Sequence, residues 1–314
     1  MDKKRAVEDI KIRAPMTVDS LVRQMKESGG FTARKLADAI DIVEGMVRKE
    51  DCTVFLSFPA CIMATGTRGV IVELVKRHLV DVIITTCGTL DHDLARSWKD
   101  YYHGDFYMDD AKLRRKRISR LGNVLVPDDS YGLILEKRLI PMFEEILKGK
   151  DSISTRELID AVGSRIGDKG SLLYWCHKNR IPMFIPGITD GSFGSQLWMY
   201  WQTHRSLKID LFKDEQDLSD IIFEAEETGA IVVGGGISKH HVIWWSQFRD
   251  GLDHAVYLTT AEEYDGSLSG ARVREAVSWG KVKASADQIT VEGDATITLP
   301  IIVASILERL GVRS

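Results

Sequence analysis

Short apolar runs alternate with amphipathic stretches along almost the whole chain. Thr53-Val54-Phe55-Leu56 and Val82-Ile83-Ile84 read as buried strands, and the stretch 67–78 between them reads as a helix. Met183-Phe184-Ile185, Ala230-Ile231-Val232-Val233 and Val256-Tyr257-Leu258 supply further strands, with Gly229 taken to end a preceding helix. Leu36, Ile40, Val43 and Val47 share one face at helical spacing, with Thr32 as the expected cap. A last helix is bracketed by Pro300 near its start and Gly311 after its end. Alternation of this kind predicts an α/β fold, a doubly wound, mostly parallel, Rossmann-like sheet with helices on both faces. No Pro/Ser/Gly-rich linker or internal repeat interrupts it. Residues 31–314 therefore read as one domain, and 1–30 as a charged N-terminal helical extension that packs on a neighbouring subunit.

Such a sheet binds ligands outside the carboxyl ends of its strands. Thr85-Thr86-Cys87-Gly88, Thr189-Asp190-Gly191-Ser192, Gly234 to Lys239 and Thr259-Thr260-Ala261 each follow a predicted strand and are expected to converge on one crevice. The turn Gly234-Gly235-Gly236 would let a ligand approach the backbone and the following helix N-terminus, and a side chain at Gly235 would collide with it. The pattern is not GxGxxG, so a plain tight turn between strand and helix stays open. His240 and His241 are adjacent, so at most one need face a ligand.

Lys281 follows Trp279 and Gly280, downstream of Asp265 and Glu275. These are the ingredients of a covalent amine site: an aromatic ring that excludes water, and carboxylates that hold a cationic substrate. Taken alone, a lysine after a glycine is ordinarily a solvated surface residue.

Composition narrows the class. The 314 residues are 44% hydrophobic and 28% charged, enough for one large core or two small ones. With no long apolar stretch or signal peptide visible, a cytoplasmic protein without a membrane span is expected. Cys52, Cys61, Cys87 and Cys176 lie far apart without CxxC spacing, which points to buried reduced thiols rather than disulfides or a metal site. A net charge of −4 gives no general reason to expect nucleic acid. The run Arg114-Arg115-Lys116-Arg117 reads as a solvated helix face, with a docking patch for an acidic chain as the sharper alternative.

Taken in order, these motifs resemble one family. Gly-Gly-Gly-x-x-Lys-His-His at 234–241 is followed by Thr260-Ala261, Asp265-Gly266-Ser267, Ser269-Gly270-Ala271-Arg272, the run from Glu275 to Lys281, and Asp294-Ala295. Upstream lie Asp81 to Thr86, Leu121 to Pro127 and Thr189 to Ser192, so the likeness runs from about Cys52 to the C-terminus. The chain is similar to deoxyhypusine synthase. The resemblance implies transfer of the aminobutyl group of spermidine, through an imine on Lys281, to a lysine of the hypusine-bearing translation initiation factor, with NAD as cofactor and a homotetramer as the assembly. It further implies NAD contacts at Thr86, Gly88, Asp190, Gly234, Gly235, Gly236, Thr260, Ala261, Asp265, Asp294 and Ala295. Polyamine contacts fall at Glu275, Trp279, Asp265, Gly266, Ser269 and Asp91, and His240 is the proton acceptor.

The chain departs from the family at Leu268 and Ser195, where spermidine users carry aspartate, and at Trp244, where they carry asparagine. Ala60-Cys61 replaces a Ser-Asn pair, and His92 replaces a glutamate. A lost carboxylate opposite a desolvated ammonium leaves the cation poorly compensated. Two further readings therefore stay open: transfer to a small amine such as putrescine or agmatine, as in a homospermidine synthase-type enzyme, and a weakly catalytic paralogue acting as a binding partner.

Overall fold

The computed structural model describes residues 5–312. The principal strands are β1 (Cys52–Phe58), β2 (Val82–Thr85), β3 (Met183–Phe184), β4 (Glu227–Val233), β5 (Leu252–Thr259) and β6 (Val282–Glu292). They form one six-stranded sheet in the order β6-β5-β4-β1-β2-β3. Read from the other edge this is 3-2-1-4-5-6, the order of Rossmann-type sheets. The pairs β2/β3, β4/β5 and β5/β6 are parallel. The α/β fold with a mostly parallel sheet is thus as the alternation predicts. Interleaved helices include α1 (Val18–Glu27), α2 (Phe31–Arg48), α3 (Thr67–Lys76), α4 (Cys87–Trp98), α5 (Ser192–Thr203), α6 (Gly236–Ser246), α7 (Val273–Ser278) and α8 (Ala295–Arg309).

The chain divides into two compact units, one of Met1–Phe55 with Ala225–Ser314, the other of Leu56–Glu224. In the first, α1 packs on α2 and α8 of its own chain. Glu308 of α8 accepts hydrogen bonds from the backbone N–H groups of Val18 and Asp19, satisfying donors that the start of α1 leaves open. Of the first thirty residues, only Val18–Glu27 is helical among those described. In the second unit, a three-stranded antiparallel sheet joins Tyr102–His103, Ile118–Leu121 and Val124–Pro127. Residues 114–117 are solvent-exposed and cross the end of the helix Asp110–Arg115.

Several local expectations need correction. Gly30, not Thr32, caps α2, because the first helical hydrogen bond runs from Arg34 N–H to the Gly30 carbonyl. Gly229 does not end a helix. It lies inside β4, where a Cβ would sit 2.2 Å from the Sδ of Met46 on α2, so the glycine is demanded by close packing. Pro300 lies within α8, which begins at Ala295, because Asp294 accepts from the Thr296 N–H at 2.7 Å and so caps the helix earlier. Cys61 is exposed, whereas Cys52, Cys87 and Cys176 are buried. Burial pushes the Cys87 thiol up to about 12, with Asp91 adding to it, which leaves it inert.

Candidate active site

The first unit contains a pocket of about 310 Å³ along one face of β5. One wall comes from α6, which presents Lys239, His240, Ile243 and Trp244 at helical spacing. The opposite wall is the segment Leu268 to Lys281, contributing Leu268, Ala271, Arg272, Glu275, Ala276, Trp279 and Lys281, with Tyr257 of β5 as the floor. Lys281 immediately precedes β6 and is 8% exposed, which removes it from the ordinary solvated lysines. Its Nζ lies 5.2 Å from the Trp279 ring centroid and 5.8 Å from that of Trp244. An amine between indole faces is shielded from water yet stabilised as a cation.

His240 stacks on Trp244, one helical turn on, with ring centroids 5.5 Å apart. Burial, with the charge of Lys281 added, holds its imidazole below the usual histidine value, so the ring is neutral and able to accept a proton near neutrality. His241 does not line the pocket. Glu275 is the one carboxylate lining the pocket among the described residues, against Lys239, Arg272 and Lys281. Leu268 and Trp244 both line the pocket, so two of the positions that the sequence reading marks as departures lie in the pocket itself.

A second group of residues gathers at the carboxyl edge of three neighbouring strands in the same unit. Gly234, Gly235 and Gly236 follow β4, Thr260 and Ala261 follow β5, and Asp294 and Ala295 follow β6. The register aligns those strand ends, pairing Val233 with Leu258 and Thr259 with Glu292. Gly234 and Gly236 adopt φ of +68° and +75°, and a Cβ at Gly236 would meet open space. Gly235 is different. A Cβ there would sit 2.3 Å from the Oγ and 2.4 Å from the Cα of Ser269, so the protein's own loop collides with a side chain before any ligand does. Asp265, Gly266 and Ser269 do not line the pocket. Asp265 instead accepts from the Ser267 N–H at 2.6 Å and shapes the loop.

The remaining predicted residues belong to the second unit. Thr86 follows β2 and accepts from the Ala60 N–H at 3.1 Å, while a Cβ at Gly88 would sit 2.9 Å from the Ala60 Cβ. Asp190 is exposed before α5. Asp91 is fully buried and accepts from the backbone N–H groups of Ser192 and Phe193, at 2.8 and 2.7 Å, and from the Tyr131 hydroxyl at 2.8 Å. Its carboxylate therefore serves the start of α5. Ser195 is exposed, its hydroxyl donating to the Gly191 carbonyl one turn back.

Comparison with known proteins now decides the family. The deoxyhypusine synthase family model matches residues 20–306. A Picrophilus torridus protein named "Probable deoxyhypusine synthase" is 56% identical over 305 residues, covering 97% of this chain and 98% of that one. The chain belongs to the deoxyhypusine synthase family. A Thermoplasma acidophilum member of the same name is 54% identical, covering 98% of this chain and all of its own. The fold agrees too: a solved Entamoeba histolytica structure assigned to deoxyhypusine synthase superposes with a TM-score of 0.69 at 22% identity, over 95% of this chain and 96% of that one. The family is one of transferases. No helix among the described residues is long and apolar enough to cross a membrane.

Within this deoxyhypusine synthase fold, sequence reasoning missed Lys239, Ile243, Tyr257, Ala271, Arg272 and Ala276 as pocket residues. Two of them had a readable signal: Lys239 and Ile243 lie one turn apart, flanking His240 on a predicted helix. Tyr257 had none, since a strand residue inside an apolar run reads as core.

Proposed function

We propose that the chain catalyses NAD-dependent transfer of the aminobutyl group of spermidine, through an imine on Lys281, to a lysine of the hypusine-bearing translation factor, as a cytoplasmic homotetramer. The observation that carries this reading is the buried Lys281 between two indole rings, in a pocket that also holds His240 and Glu275. Family membership at 56% identity supports it. NAD, when bound, supplies the hydride acceptor that oxidises the amine and the donor that later reduces the product. The open space at Gly236, the positive φ at Gly234 and Gly236, and the aligned strand ends fit a dinucleotide. Gly234, Gly236, Thr260, Ala261, Asp294 and Ala295 would hold it. Glu275 pairs with a substrate ammonium, neutral His240 takes a proton, and Lys281 attacks as the uncharged amine while Trp244 and Trp279 keep water away.

A second reading, transfer to a small amine in the manner of a homospermidine synthase, is favoured by one observation. Leu268 and Trp244 face the pocket where polar groups would grip a polyamine. The two are separated by incubating the protein with NAD and butyl-labelled spermidine, with the translation factor or with putrescine, trapping with borohydride and mapping the label. We expect label at Lys281 and on the factor. Label on putrescine alone selects the second reading, and trapping at another lysine removes Lys281 from its role. Lys281→Arg keeps the charge but cannot become a neutral amine at working pH. It should abolish transfer while NAD binding, read by calorimetry, persists.

A further inference from the structure

The pocket contains a second buried lysine that the transfer chemistry does not use. Lys239 is 1% exposed and ranks among the largest fully buried side chains of the chain. Its Nζ donates to the carbonyls of Leu268 and Ala271, each at 2.7 Å, and lies 4.2 Å from the centroid of the Tyr257 ring. Burying an ammonium is costly, and an apolar side chain would fill this space more cheaply, so its partners point to its use. Both acceptors are backbone carbonyls of one loop. The same loop is tied nearby by Thr259, whose hydroxyl donates to the Ser269 carbonyl at 2.9 Å, and by the close approach of Ser269 to Gly235. Residues 262–267, just before these ties, are exposed.

We propose that Lys239 is a positioning residue: by clamping the carbonyls of Leu268 and Ala271 to α6, it fixes the wall that carries Leu268, Arg272, Glu275 and Lys281 opposite His240. The clamp sets the width of the pocket, and with it the placing of a substrate ammonium against Glu275. Because Lys239 and His240 are consecutive on α6, one helical turn holds both the loop and the proton acceptor. Burial lowers the Lys239 ammonium to about 8, a shift that the Glu275 carboxylate opposes and the Arg272 charge reinforces.

This proposal rests on the amine-transfer reading for its kinetic consequence but not for its structural one, and the test separates them. Lys239→Met fills the same space without the donors, and Lys239→Gln retains N–H donors on a shorter stem. Hydrogen exchange on the full ligand-free chain should quicken by about tenfold or more across 261–272 in the Met variant, as expected for losing charged hydrogen bonds, and less in the Gln variant. The remainder of the first unit should stay protected. With NAD and spermidine, diaminopropane release should show KM raised about tenfold in the Met variant and kcat changed much less. Exchange unchanged in that loop, exchange quickened evenly throughout the unit, or kcat lost at unchanged KM would each overturn the proposal, as would failure of both variants to fold. If the unmodified protein releases no diaminopropane, the transfer reading falls, while the exchange measurement still decides whether the clamp exists.

Discussion

Lys281 owes its setting to the residue scale, where single atoms decide what the pocket admits. Leu268 lines the pocket with methyl groups and cannot accept a hydrogen bond from an ammonium. Leu268→Asp should therefore tighten spermidine binding by about tenfold, the effect of one charged hydrogen bond. Calorimetry on the Lys281→Arg background would measure binding without turnover; unchanged affinity would mean that this wall does not contact the amine. Ser195 is not among the pocket-lining residues, so the single variant is the cleaner test. Gly235 gives the opposite lesson. A glycine after a strand reads naturally as space left for a cofactor, yet Ser269 already occupies that space. Gly235→Ala should cost about 1–3 kcal/mol in the cofactor-free protein through overpacking, measured by urea unfolding without NAD. Stability within error of the unmodified protein would return the glycine to a purely ligand-facing role.

At the scale of elements, buried strands were legible and half-exposed ones were not. β1, β2, β4 and β5 are apolar runs, whereas β6 reads Val-Lys-Ala-Ser-Ala-Asp-Gln-Ile-Thr-Val-Glu and sits at the sheet edge, largely outside the core. An edge strand needs little apolar surface, so its sequence carries little signal. The order of motifs along the chain located the pocket's covalent lysine, its histidine and Glu275. It did not reveal that Asp91 spends its carboxylate on the start of α5, because that partnership spans about a hundred residues. The same helix, α4, contains a pH-sensitive group. Burial, helped by the charge of Arg96, lowers the His92 imidazole to about 4, while its Nδ1 lies 3.0 Å from the Tyr101 hydroxyl. The folded state thus prefers neutral His92, so its contribution is complete above the unfolded value of 6.5 and is lost as pH falls towards about 4. Asp91 works in the other direction, since burial raises its carboxyl against the hydrogen bonds it accepts. Between about pH 7 and about pH 5, His92 should cost the protein up to about 2 kcal/mol. His92→Gln should remove that part of the slope in urea midpoints; an identical slope would show that the ring is not the titrating group.

On the scale of the whole molecule, the first unit is closed by residues from the two ends of the chain. Arg309 of α8, its side chain 5% exposed, meets Asp19 of α1 together with Asp41 and Glu44 of α2. Ser305 adds a hydrogen bond to Asp19 at 2.8 Å. No sequence window contains this cluster, because Asp19 and Arg309 are 290 residues apart. Burial alone would raise the three carboxyls, but hydrogen bonds from Arg309, with Arg23 and Ser305 at Asp19, Lys26 at Asp41 and Arg48 at Glu44, bring each below its ordinary value. Carboxyls depressed in the folded state stabilise it above their unfolded values, 3.8 for Asp and 4.5 for Glu, and that stabilisation fades as pH falls through the folded ones. Arg309→Met keeps much of the buried stem but leaves three converging acids without their shared cation. Breaking a buried pair from one side costs roughly 3–5 kcal/mol, and the partial exposure of Asp41 and Glu44 argues for the lower figure here. Guanidinium unfolding near neutral pH should show that loss. The gap between variant and unmodified protein should then narrow in acid below about pH 4, where protonation removes the repulsion in one and the attraction in the other. A gap that stays constant with pH would assign the loss to packing of the arginine stem, and no gap at all would show that α1 is held to α8 by other contacts.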